Sequence, residues 1–220
     1  MKTKLFTLAL SFLLVLALVS TSSARKSRDL VFEDDDEAVA GEQVKVAVKT
    51  TLELTRDGTV TTVTPAHKFK SGDKVKLRYT TSTDGYVYWM AKMSSGKYAM
   101  LFPNNKTGMD NHIRKNEEHT IPVKGSFRFD DTPGTESLLM VFSAERIPEL
   151  EAAVAEANGS KGSSVDSRSS EVASIEDKNT QKRRSRDLVF EDDDEDDVNT
   201  KTQVAPKGEP FVTLYELVHQ

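Results

Sequence analysis

The segment 86–93 reads YVYWMAKM and carries apolar side chains at both odd and even positions. An extended chain sends successive side chains to opposite faces, so such a run is stable only where both faces are covered, and a central strand is the expectation. Elsewhere the pattern has one wet face. Val44, Val46, Val48, Leu52 and Leu54 share one parity, and Val75, Leu77 and Tyr79 alternate with Lys74, Lys76, Arg78 and Thr80, which is the period-2 signature of half-buried strands. Ser94-Ser95-Gly96 turns the central segment back into 97–102, and further strands are expected at 119–123, 127–129, 137–142, 187–190 and 211–218. Many short strands with frequent turns predict a mainly β fold: an antiparallel β-sandwich or barrel-like domain with one short helix and a disordered insertion.

The helix is expected from Pro148, which suits a first turn. Glu149 and Glu151 favour the positive end of the dipole, Leu150, Ala153, Val154 and Ala157 form a stripe, and Asn158-Gly159 supplies a stop. The serine-rich stretch that follows has Val165, Val172 and Ile175 as its large apolar residues, too few to offset the entropy of ordering, so it reads as a flexible linker.

Lys2 and Lys4, the apolar run 5–19 and the small-residue end Ser22-Ser23-Ala24 have the form of a secretory signal peptide cut after Ala24. The expected organisation is a signal peptide at 1–24, an acidic amino-terminal arm at 25–42, and a β domain closing with the helix at 43–158. A flexible linker at 159–184 and terminal strands at 185–220 returning to the β domain complete it. The mature chain is expected in the periplasm or outside the cell, with no stable membrane insertion. The chain has 30 basic and 35 acidic residues, a net charge of −5, so no overall basic field draws it to nucleic acid. It has no cysteine. Disulfides, thiolate nucleophiles and sulfur-held metal centres are therefore excluded, and the core alone must hold the fold.

The sequence SRDLVFEDDDE occurs twice, at 27–37 and 185–195. In each copy an apolar stretch precedes a dense acidic run. Asp29, Leu30, Val31 and Phe32 carry the same side chains as Asp187, Leu188, Val189 and Phe190, so one copy could take the other's place at an open sheet edge, in its own molecule or a neighbour. Two similar edge strands, or a disordered first copy, explain the same duplication. Asp34, Asp36, Asp192 and Asp194 are the candidate ligands for calcium, a hard cation that prefers several oxygens. Consecutive acids point to alternate sides, however, and no glycine sets up a spaced-ligand turn, so a solvated acidic run that keeps an edge from aggregating is the preferred reading. No other cofactor is expected.

Gly72-Asp73 ahead of a basic strand, Asp84-Gly85-Tyr86, Leu101-Phe102-Pro103-Asn104, Phe127-Arg128-Phe129 and Pro133-Gly134-Thr135-Glu136 follow one another across about 69–147. In that order they resemble a bacterial family known only as a domain of unknown function. The resemblance implies an envelope module: in that family the domain is exported alone or joined to caspase-like peptidases or kinases, and no activity is assigned to it.

For catalysis the sequence offers little. His67, His112, His119 and His219 stand singly, and the Ser-x-x-Lys matches at Ser71–Lys74 and Ser94–Lys97 lack the companion signatures of an acyltransferase. No glycine-rich phosphate loop is present. Tyr86, Tyr88, Trp89 and Tyr98 read as core in preference to a sugar-stacking platform. The expectation is an exported, non-catalytic binding or scaffolding module with a protein partner in the envelope, or one that self-associates by strand addition. The alternative is a calcium-dependent binder or a hydrolase with a dispersed site, for which Asp110, Asp130, Asp131 and Glu136 are the candidate acids.

Overall fold

A computed structural model describes residues 43–184 and 200–220. Eleven strands and two helices follow in the order β1 (Gln43–Arg56), β2 (Thr59–Val63), β3 (Lys74–Thr81), β4 (Gly85–Lys92), β5 (Tyr98–Phe102), β6 (His112–Ile113), β7 (His119–Ile121), β8 (Phe127–Arg128), β9 (Gly134–Ser143), α1 (Pro148–Gly159), α2 (Ser169–Arg184), β10 (Thr200–Pro206) and β11 (Phe211–His219) among the described residues. The strands form two antiparallel sheets. The first has the order β10-β1-β3-β7, with β2 also on β1 and β8 also on β3; the second has the order β11-β9-β4-β5, with β6 on β4.

The doubly apolar segment 86–93 is explained by a third layer. Val87 and Trp89 of β4 point into a core shared with Val48, Leu52, Leu77 and Tyr79 of the first sheet, while Tyr88 and Met90 point the other way, against Leu150, Ala153 and Val154 of α1. Strand β9 does the same, with Leu138, Met140 and Phe142 on one side and Leu139 and Val141 on the other. The second sheet is thus covered on both faces.

In β5 a strict period of two would send Met100 and Phe102 to the same face. The register with β4 slips between Trp89, opposite Phe102, and Met90, opposite Met100. This bulge leaves Leu101 as the extra residue, so Met100 joins the helix side and Phe102 the inter-sheet core.

The segment expected to be a flexible linker contains α2, preceded by short 3-10 turns at Lys161–Ser163 and Asp166–Arg168. Val165 and Val172 are fully buried and Ile175 packs beside them. Glu176 accepts hydrogen bonds from Tyr98 Oη at 2.5 Å and Lys92 Nζ at 2.7 Å. Three apolar residues suffice because a preformed sheet receives them and polar tips complete the attachment. The expectation of a disordered insertion is therefore corrected over 160–184. The expected strand at 187–190 lies outside the described residues.

On β1, residues 48–55 pair with β3 along one edge. The other edge is shared end to end, β10 pairing with 43–49 and β2 with 52–56. A chain extended backwards from Thr200, which faces Lys49, therefore finds the next stretch of that edge occupied by β2.

Candidate functional site

Strand β11 ends the second sheet among the described residues, and its outer rim is met at two places. At its end, Phe69 donates its amide to Val218 O at 2.8 Å and accepts from the Gln220 amide at 2.9 Å. Val218 and Gln220 thus turn their backbone groups away from β9, and alternation turns those of Leu214 and Glu216 the same way. Farther along, Lys201 of β10 reaches across, donating to Leu214 O and to Thr213 Oγ1, each at 2.9 Å, with its ammonium 4.0 Å from the centre of the Tyr215 ring. Between the Lys201 and Phe69 contacts, a cleft of about 370 Å³ lies against the strand, lined by Thr64, Pro65, Ala66, Lys201, Leu214, Tyr215 and Glu216. The floor is rigid. Tyr215 Oη shares a hydrogen bond with Thr50 Oγ1 at 2.9 Å, and its ring stacks on Trp89 at 5.6 Å. A short row of outward backbone groups beside an apolar-walled cleft is what an extended peptide needs to add a strand.

A second arrangement lies where Phe69 enters. Ser71 Oγ is 3.1 Å from His219 Nε2, a nucleophile-to-base spacing. His219 Nδ1 is buried without a hydrogen-bond partner among the described residues. The nearby acid, Asp73, is taken by Arg56 and by the Lys70 amide. Among the described residues no carboxylate therefore orients the imidazole, the third requirement of such a constellation.

Other residues singled out in the sequence shape turns. Asn104 is buried; its amide group donates to Ser163 Oγ at 2.7 Å and its Oδ1 accepts from the Lys106 amide at 2.9 Å, tying the β5 turn to the segment before α2. Asp110 and Asp130 accept from the amides of His112 and Thr132 in their own turns, and Asp131 and Glu136 are exposed. Among the described residues no group of three or more His, Asp or Glu side chains is placed to hold a metal ion. Asp29, Leu30, Val31, Phe32, Asp34, Asp36, Asp187, Leu188, Val189, Phe190, Asp192 and Asp194 lie outside the described residues.

Residues 68–146 match the family model described as Domain of unknown function (DUF4384). No curated protein and no solved structure matches the chain at a significant level. The matched span holds β3 to β9, whereas β1, β2, β10 and β11, and with them Lys201, Leu214 and Glu216, fall outside it. The cleft thus belongs to the part of the chain beyond the family match. Its residues were missed in the sequence because edge position depends on strand order, which side-chain periodicity does not encode. The signal that pointed nearest was the apolar run 211–218 after the second copy of the repeat.

Among the described residues no helix is long and apolar enough to cross a membrane.

Proposed function

We propose that the mature chain is an exported binding or scaffolding module of the envelope that takes an extended segment of a protein partner on the rim of β11 at Leu214–Glu216. The signal-peptide pattern at 1–24 supports export to the periplasm or beyond. The observation that carries the binding reading is the cleft between Lys201 and Phe69, where Leu214 and Glu216 turn backbone groups outward.

A Glu216→Pro substitution tests it. Proline removes the amide that an added strand would use, at a position whose amide the ladder to β9 does not need. Crosslinked capture from envelope extract with the tagged chain, residues 25–220, is compared for the parent and the variant. A specific partner lost in the variant, at unchanged melting temperature, supports the reading; a partner retained at full yield overturns it. A further version lacking residues 25–37 separates a foreign partner from self-association through the first repeat copy.

The Ser71–His219 spacing favours a hydrolase as the second reading. A fluorophosphonate probe that labels the parent and not Ser71→Ala would establish it.

A further inference from the structure

The two outer faces of the sandwich are unequal. The second sheet is covered by α1 and α2, whereas the first presents charged side chains to solvent. Because Val48, Leu52, Val75 and Leu77 fill the core, alternation sends Lys45 and Lys49 of β1 and Lys74, Lys76 and Arg78 of β3 outward. Arg128, paired with Lys74 in register, extends the same row. Lys45, Lys49, Lys74 and Arg128 are exposed. Among the described residues, Glu53, opposite Lys76, and Glu118, whose Oε1 lies 2.9 Å from Arg78 Nη2, are carboxylates set beside these cations. Thr51, Thr55 and Thr80 fill positions between them. A cationic face has thus formed on a chain of net charge −5.

The chain's densest acidic run, EDDDEDD at 191–197, ends three residues before Thr200, the residue of β10 that faces Lys49. Those three residues span at most about 10 Å, and the whole run reaches about 30 Å. From Lys49 to Thr55, which faces Lys74, is about 20 Å along β1. Every cation in the row is within that reach. The straight path is closed, because β2 holds the edge of β1 beyond Lys49, and the inner face is filled by core side chains. The outer face remains, and its charge is opposite. Spacing agrees as well: Lys74, Lys76 and Arg78 recur every second residue, about 7 Å apart, as do same-side carboxylates of an extended acidic peptide.

From reach, exclusion and charge we propose that the acidic run 191–197 docks on the outer face of the first sheet of its own molecule, across Lys49, Lys76 and Arg78. The second copy of the repeat is thereby a ligand held in cis. This stands whether or not β11 receives a strand, since it uses a different surface.

The absence of cysteine makes the test clean: an Asp194→Cys variant of the full mature chain takes a single spin label. With the label oxidised at about 0.1 M salt, where charges separated by about 10 Å still interact, the amide signals of Lys74, Lys76 and Arg78 should fall at least about twofold relative to the reduced label. The loss should disappear at about 1 M salt and in a variant that also carries Asp192→Asn, Asp193→Asn, Asp196→Asn and Asp197→Asn. Broadening that salt and the substitutions leave unchanged reports tethering alone and overturns the proposal. So does the absence of broadening on β3. Broadening seen between a labelled copy and a separate isotope-enriched copy assigns the run to a second molecule, which also overturns docking in cis.

Discussion

Arg56 grips Asp73 with both arms of its guanidinium, Nε to Oδ1 at 2.8 Å and Nη2 to Oδ2 at 2.6 Å, and the Lys70 amide adds a third bond at 2.8 Å. The pair joins the end of β1 to the turn before β3. Only 3% of the Asp73 side chain is exposed, against 31% of Arg56. The hydrogen bonds from Arg56 hold the Asp73 carboxyl below the usual carboxylate range.

A depressed carboxyl pKa contributes stability that is present above the unfolded value, about 4, and lost as pH falls through the folded value. Asp73→Asn should therefore cost about 2 kcal/mol near neutral pH, because it leaves the Arg56 guanidinium partly buried without its counter-charge. The difference in melting temperature between parent and variant should shrink as pH is lowered below about 4. Melting curves from pH 7 to pH 3 check this, and a gap that stays constant would refute the ionic account.

Gly85 opens β4 where a Cβ would stand 2.4 Å from Ser143 O and 2.6 Å from the Phe142 ring. Neither neighbour is free to retreat, since Phe142 fills the core and Ser143 O belongs to backbone. Gly85→Ala should cost about 1–3 kcal/mol, the range for overpacking. A urea midpoint equal to the parent's would contradict this.

Helix α2 is held by Val165, Val172 and the Glu176 pair, so a carboxylate in the apolar contact should release it. Val172→Asp should expose 160–184 to protease while Trp89, in the layers beneath, keeps its environment. Mass spectrometry of the digest locates the first cuts. Cleavage elsewhere at the same rate would mean that α2 is not independently detachable.

Trp89, the only tryptophan, is fully buried between Tyr79 and Tyr215. Its emission should be blue-shifted and resistant to iodide in the native protein. It should shift to the red in a single step with the loss of sheet circular dichroism. A red-shifted, iodide-quenched native signal would contradict the packing.

What was legible in the sequence was decided by side-chain pattern. The apolar run 86–93 announced a strand covered on both faces, and the stripe Leu150, Ala153, Val154 and Ala157 announced α1, because burial writes itself into periodicity. Phe102 was not legible on the correct face, since a bulge reverses parity by a backbone displacement that leaves no mark in composition. Helix α2 is not legible because its apolar residues are too few for a free chain, whereas Val165 and Val172 meet the surface of the second sheet and α1. The β11 cleft depends on which strand lies at an edge, and the cation row on β1 and β3 gains its meaning only when their register sets Lys49 opposite Thr80, one diagonal step from Arg78 and two from Lys76.

The limits of the family match carry a consequence for modularity. Strand β3 lies within residues 68–146 and β1, its neighbour in the first sheet, lies outside; β9 lies within and β11 lies outside. A protein that inherited only the matched span would keep the pairs of β3 with β7 and β8 and of β4 with β5, β6 and β9, and would present bare rims on β3 and β9. A chain that carries this span without these flanks has two edges to cover by other means, so transplantation of the module is at the same time a problem of completing it.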